Sequence, residues 1–150
     1  MKKDFVIRGQ LASGLTETIE FGGHKEGYAY KMTEFTIYPS TNIGGAEFEL
    51  QASVTAAKTF EDPSNPNFNN EGLIATAMLT GFNNPVYNSS DFAGVVNDTF
   101  LITQNLILAV VDTQAGSPMA VNYQMRFESV KMTDSMAAVT NFKQFSIFDE

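Results

Sequence analysis

Few side chains in this 150-residue sequence could do covalent or acid–base chemistry. There is no Cys and one His, His24, so composition excludes thiol nucleophiles, iron–sulfur clusters, thiolate zinc sites and two-His metal centres. A Ser-His-Asp arrangement or a His general base would have to be built on His24. That residue stands in Gly22-Gly23-His24-Lys25-Glu26-Gly27, with Glu26 near enough in sequence to hydrogen-bond its ring. A sharp glycine-bounded turn presenting an exposed His accounts for the segment more simply. The glycines form no phosphate cradle, because neither a Lys-Ser/Thr pair nor a helix start follows them.

Carboxylates offer two further readings. Glu17 with Glu20, or Glu47 with Glu49, could be the pair that glycoside hydrolysis needs, two acids about 5–9.5 Å apart across a cleft. Glu47 and Glu49 do share one strand face, but so do Gln51, Ser53 and Thr55, which reads as a solvated sheet face. The segment from Glu61 to Glu71 gathers the oxygen donors that Ca²⁺ prefers. Its spacing departs from the Asp-x-Asp-x-Asp-Gly loop and only Glu61, Asp62 and Glu71 are charged. The simpler reading is a long surface loop whose Asn and Pro residues satisfy their own backbone, or one that reaches a neighbouring subunit. Tyr28, Tyr30 and Tyr38 could form a sugar-stacking platform, which would make this a carbohydrate-binding module. Such platforms favour Trp, which is absent, and the 13 Phe residues read as core and subunit-interface mass.

The elements that must position these residues are strands, because period-two alternation dominates. Phe5 and Ile7 alternate with Val6 and Arg8 in a first strand closed by Gly9 to Gly14. A second, Leu15 to Phe21, carries Glu17 on its inner face. Between Tyr28 and Tyr38 the apolar phase switches from Tyr28, Tyr30 and Met32 to Phe35 and Ile37, predicting a bulge near Thr33-Glu34 or a strand that changes sheets. From Ala46 to Thr55, Phe48, Leu50, Ala52 and Val54 face a core while the opposite face is wet.

Leu73 to Leu79 is apolar on both faces, as in a central strand, and periodicity alone leaves a short helix open. Gly81 to Gly94 reads as an Asn/Ser-rich connection. Thr99–Thr103 and Leu106–Thr113 are two strands or one long one. After a turn at Ala115 to Pro118, Val121, Tyr123, Met125 and Phe127 return as the second arm of a hairpin. Thr133-Asp134-Ser135 can cap a short helix through Val139, with Phe142 to Phe148 as a last strand. The expected fold is all-β: one domain over residues 1–150, an antiparallel two-sheet sandwich, jelly-roll-like, with 8–9 strands and at most one short helix. Period-two patterns fix faces and not connectivity, so another strand order stays open.

Composition bounds the partners. At 43% apolar the chain can build its own core without disulfides or a structural metal, and no cofactor is expected. A net charge of −8 argues against a nucleic-acid groove. The apolar run Leu106 to Val111 is far short of the ~20 residues that cross a bilayer. The N-terminus lacks the apolar core of a cleavable signal, since Arg8 interrupts it, and the acceptor patterns at Asn88 and Asn97 are therefore read as chance. Lack of Cys fits synthesis in a reducing compartment.

Three segments carry a resemblance: Gly27 to Ser40 (GYAYKMTEFTIYPS), Asn97 to Thr113 (NDTFLITQNLILAVVDT) and Val121 to Met132 (VNYQMRFESVKM), with the closing Ala138 to Phe145. In overall texture they resemble small virion structural proteins of marine tailed bacteriophages. The resemblance covers the N-terminal and C-terminal thirds, leaves Phe60 to Gly94 unmatched, and carries no catalytic signature. It implies a non-enzymatic decoration, cement or knob protein on the outer surface of an icosahedral head, made in the host cytoplasm. Its partners would be the major capsid protein or another virion protein, and further copies of itself, for example as a trimer. An acidic chain suits a shell exterior, away from packaged DNA. The expected contact surface is Tyr28, Tyr30, Met32 and Tyr38, with Phe142, Phe145 and Phe148. Lys2, Lys3 and Arg8 form a locally basic N-terminus that could reach an acidic patch on a shell protein or be an ordinary mobile end.

Overall fold

A computed structural model describes residues 4–20, 27–41, 47–56, 60–83, 88–114 and 118–132. Among them are eight strands and no helix: β1 (Asp4–Leu11), β2 (Thr16–Ile19), β3 (Tyr28–Pro39), β4 (Phe48–Thr55), β5 (Leu73–Asn83), β6 (Asn88–Val96), β7 (Leu106–Asp112) and β8 (Val121–Lys131). They form two antiparallel sheets, β1-β8-β3 and β2-β7-β4-β5-β6, packed face to face as a sandwich. A jelly roll, made by rolling an antiparallel ribbon, pairs β1 with β8, β2 with β7, β3 with β6 and β4 with β5. Three of those pairings are present, but β6 pairs with β5, so the complete jelly-roll order is not formed among the described residues.

Alternation builds the core. Phe48, Leu50, Ala52 and Val54 of β4 and Leu106, Leu108 and Val110 of β7 meet Val121, Tyr123, Met125 and Phe127 of β8 in one buried cluster. Burying each larger apolar side chain contributes about 1.5–3 kcal/mol. The bulge expected near Thr33-Glu34 is present: β3 pairs Met32 with Phe127 and Glu34 with Arg126, leaving Thr33 without a ladder partner. That extra residue returns Phe35 and Ile37 to the inner face already occupied by Met32, so all three are buried. Gly14, at a φ of 84°, supplies the left-handed backbone of the turn by which the chain leaves β1 in one sheet for β2 in the other.

Several sequence expectations change. The stretch 81–94 is not simply a connection. β5 runs on to Asn83 and β6 starts at Asn88, paired residue for residue back to Val96 opposite Ala75. Backbone pairing needs no apolar alternation, so a polar edge strand left no pattern to read. Leu73 to Leu79 is the strand that its two apolar faces predicted. Thr99–Thr103 is not a ladder strand but a single bridge, Tyr30 to Ile102, with Phe100 and Ile102 buried beside it.

The predicted hairpin of β7 and β8 does not exist, because the two strands lie in different sheets. The crossing is fixed by the buried carboxylate of Asp112. Its Oδ1 accepts the backbone N–H of Glu49 (3.1 Å) and Gln114 (3.1 Å), and its Oδ2 accepts that of Met119 (3.0 Å). The predicted helix after Thr133 and the strand Phe142 to Phe148 lie outside the described residues.

Two stability tests follow from these contacts. A Cβ on Gly81 would stand 2.5 Å from Phe48 Cζ, so Gly81→Ala should cost about 1–3 kcal/mol in urea denaturation. Adding Phe48→Leu should recover part of that loss, a coupling of about 0.5 kcal/mol or more; strictly additive effects would contradict the contact. Asp112→Ala should cost roughly 3 kcal/mol, because it leaves three backbone donors without their acceptor.

Candidate functional site

Three of the four carboxylates proposed for chemistry have structural partners, while Glu20 lies exposed just after β2. Glu17, on the same strand phase as buried Ile19, stays exposed at the sheet margin, and its Oε2 accepts the Tyr123 hydroxyl at 2.7 Å, joining β2 of one sheet to β8 of the other. Glu49 Oε2 accepts from Thr113 Oγ1 (2.9 Å), and Glu47 Oε2 takes a weak 3.5 Å contact from Gln114 Nε2. Among the described residues there is no group of three acidic or His side chains placed to hold a metal ion. His24 lies outside those residues.

The segment 60–72 is a lid folded onto the outer face of β4 and β5. Ser53 Oγ donates to the Glu61 carbonyl (2.6 Å), the Glu61 N–H donates to Thr55 Oγ1 (3.2 Å), and the Ala56 N–H reaches Gly72 O (2.8 Å). The far end of the β4 outer face is therefore not wet, as alternation implied: Ser53 and Thr55 are fully buried beneath the loop. Its oxygens serve its own shape. Glu61 accepts from the Asn67 N–H (3.0 Å) and Asn70 Nδ2 (2.6 Å), while Asp62, Asn67 and Asn70 each accept a backbone N–H two residues on.

Buried Pro63 separates two shallow apolar grooves. One, of about 280 Å³, runs between Phe68 and Pro66 of the loop and Met78 and Val95 of β5 and β6. The other, of about 380 Å³, lies among Leu15, Phe60, Ala109 and Val111. Leu15, Phe60, Phe68, Met78 and Val95 are all large apolar side chains left exposed, Phe68 at 65%. Sequence reasoning missed this face. The available signal was the presence of Phe60 and Phe68 in a segment otherwise made of Asn, Pro, Ser and acids.

The opposite face of the sandwich carries rows of polar side chains around an open groove. Register across β1, β8 and β3 aligns Arg8 with Gln124 and Thr36, and Gln10 with Asn122 and Tyr38. Arg8 Nη2 donates to Gln124 Oε1, Gln10 Nε2 to Asn122 Oδ1 (2.9 Å), and Asn122 Nδ2 to the Pro39 carbonyl (3.2 Å). Glu34 stands beside them, 3.8 Å from Arg126 Nε. Together these residues line a groove of about 620 Å³.

The predicted contact residues are scattered. Tyr38, 61% exposed, stands on the polar groove. Tyr28 and Tyr30 are half-buried, Tyr30 packing edge-on against Phe5 at 5.5 Å. Met32 is a correction: it is 0% exposed inside the core, because the bulge puts it in phase with Phe35, and it offers nothing to a partner. Phe142, Phe145 and Phe148 lie outside the described residues. Compared with known proteins, the chain matches no family model and no curated protein sequence.

The cross-sheet pair has a pH signature. Burial first, then the hydrogen bond and charge of Glu17, push the Tyr123 hydroxyl up to about 12 from an ordinary 10.0. Since the protonated phenol is favoured by folding, its contribution is complete below pH ~10 and is lost as pH rises through the folded value. Ultraviolet titration should show one tyrosine ionising near 12, absent in Tyr123→Phe and moved toward 10 in Glu17→Gln. A titration unchanged by Glu17→Gln would contradict the pairing.

Proposed function

We propose that this chain is a non-enzymatic virion structural protein that attaches, as a decoration, cement or knob subunit, to the exterior of an icosahedral phage head. The observation that carries the reading is the exposed apolar set Leu15, Phe60, Phe68, Met78 and Val95, gathered on one outer face of the sandwich around the 60–72 loop. Large apolar side chains left exposed together on one face mark a contact with another macromolecule. The partner is the major capsid protein or another virion protein, and neighbouring copies of this chain fit the same surface.

A net charge of −8 supports an exterior position, away from packaged DNA. The carboxylates of Glu17, Glu49, Glu61 and Asp112 are engaged in holding backbone or neighbouring side chains, which supports a role resting on shape. Contact through a small apolar centre is weak for one copy and gains strength by repetition on a symmetric shell.

Purified, washed particles should contain the chain in stoichiometric amount; its absence would sink the reading. Phe68→Asp and Met78→Asp, both at exposed positions, should leave the circular-dichroism spectrum and thermal midpoint nearly unchanged while weakening attachment by roughly tenfold or more each. Full attachment of the double variant would move the contact to another face.

A further inference from the structure

We propose that the groove over β1, β8 and β3 binds a neutral oligosaccharide. It is an open groove whose volume, about 620 Å³, falls within the range of small-ligand sites. The lining is what a ring bearing many hydroxyls and one apolar face requires. Planar amides on Gln10, Asn122 and Gln124 and the guanidinium of Arg8 each offer in-plane donors or acceptors to adjacent hydroxyls, and Tyr38 presents an exposed aromatic face for the C–H side of the ring.

These groups are held before any ligand arrives. Arg8 is tied to Gln124, Gln10 to Asn122 and Asn122 to the Pro39 carbonyl, so little side-chain freedom remains to be lost on binding. They stand on three adjacent strands, about 4.8 Å apart, in rows about 6.7 Å apart along the strands. A rigid sheet rather than a loop sets the spacing.

Charge selects the ligand class. Within the lining Arg8 and Glu34 are the charged members and cancel, while Arg126, 3.8 Å from Glu34, flanks the groove outside it. An anionic glycan or a phosphate would meet the Glu34 carboxylate, in a chain already carrying −8. A peptide would find few apolar anchors there. This site differs from a platform of Tyr28, Tyr30 and Tyr38, since only Tyr38 belongs to it. The proposal is independent of attachment to a shell, because the groove lies on the sandwich face opposite the apolar one, and either can fail alone.

The test uses the full chain on an array of neutral and acidic oligosaccharides, followed by NMR titration with neutral tetrasaccharides built from glucose, mannose, galactose and N-acetylglucosamine. The expected result is binding to at least one neutral glycan, with shifts confined to β1, β8 and the Glu34–Tyr38 part of β3. Tyr38→Ala and Gln10→Ala should each weaken it about tenfold or more, Tyr38→Trp should retain it, and Met78→Asp should leave it unchanged. No neutral glycan bound at millimolar concentration, salt-sensitive binding to acidic glycans alone, or neutral binding untouched by both alanine variants would each overturn the proposal.

Discussion

The carboxylate of Asp112 holds the point on which the rest of the sandwich depends. It gathers backbone N–H groups from β4, from the end of β7 and from the segment leading to β8. A buried charge is tolerated only when its hydrogen-bonding capacity is met, and here the donors come from three parts of the chain that must converge before the crossing can form. Once β8 is carried to the other sheet it lies between β1 and β3, and both its neighbours are set. The polar rows of the outer groove are a consequence of that placement.

The same use of acids recurs on the opposite side. Glu61 shapes the loop that covers β4, and the loop brings Phe60 and Phe68 to the surface on either side of Pro63. The two outer faces of the sandwich thereby acquire different chemistry: one carries exposed apolar side chains, the other an open groove lined with amides. Glu17 and Tyr123 link the two layers by a hydrogen bond, and both sheets share one buried core. This asymmetry supports the proposal of a subunit that attaches by one face and leaves the other exposed.

Much of this was legible in the residues. Faces were readable wherever apolar residues alternate, and the bulge at Thr33 announced itself as a phase switch between Met32 and Phe35. Met32 itself was misread as surface for the same reason, because alternation counted from Tyr28 gives no sign that the bulge makes Met32 core. Partnership was not readable. β7 and β8 are strong strands joined by a turn sequence, yet nothing in period-two pattern distinguishes a hairpin from a crossing, and Asp112 looks in sequence like an ordinary strand-end acid. β6 was hidden because Asn88 to Asp91 lack β-formers, its pairing resting on the backbone of β5. The polar groove was out of reach because its rows exist only across strands that are distant in sequence.

The most direct test of the central claim, that the loop-covered face is the one that attaches, is hydrogen–deuterium exchange of the chain free and bound to particles. Attachment by that face adds protection in the 60–72 loop, β5 and β6, with β1, β8 and β3 exchanging as in the free chain. Protection confined to β1, β8 and β3, or none on either face, would contradict it.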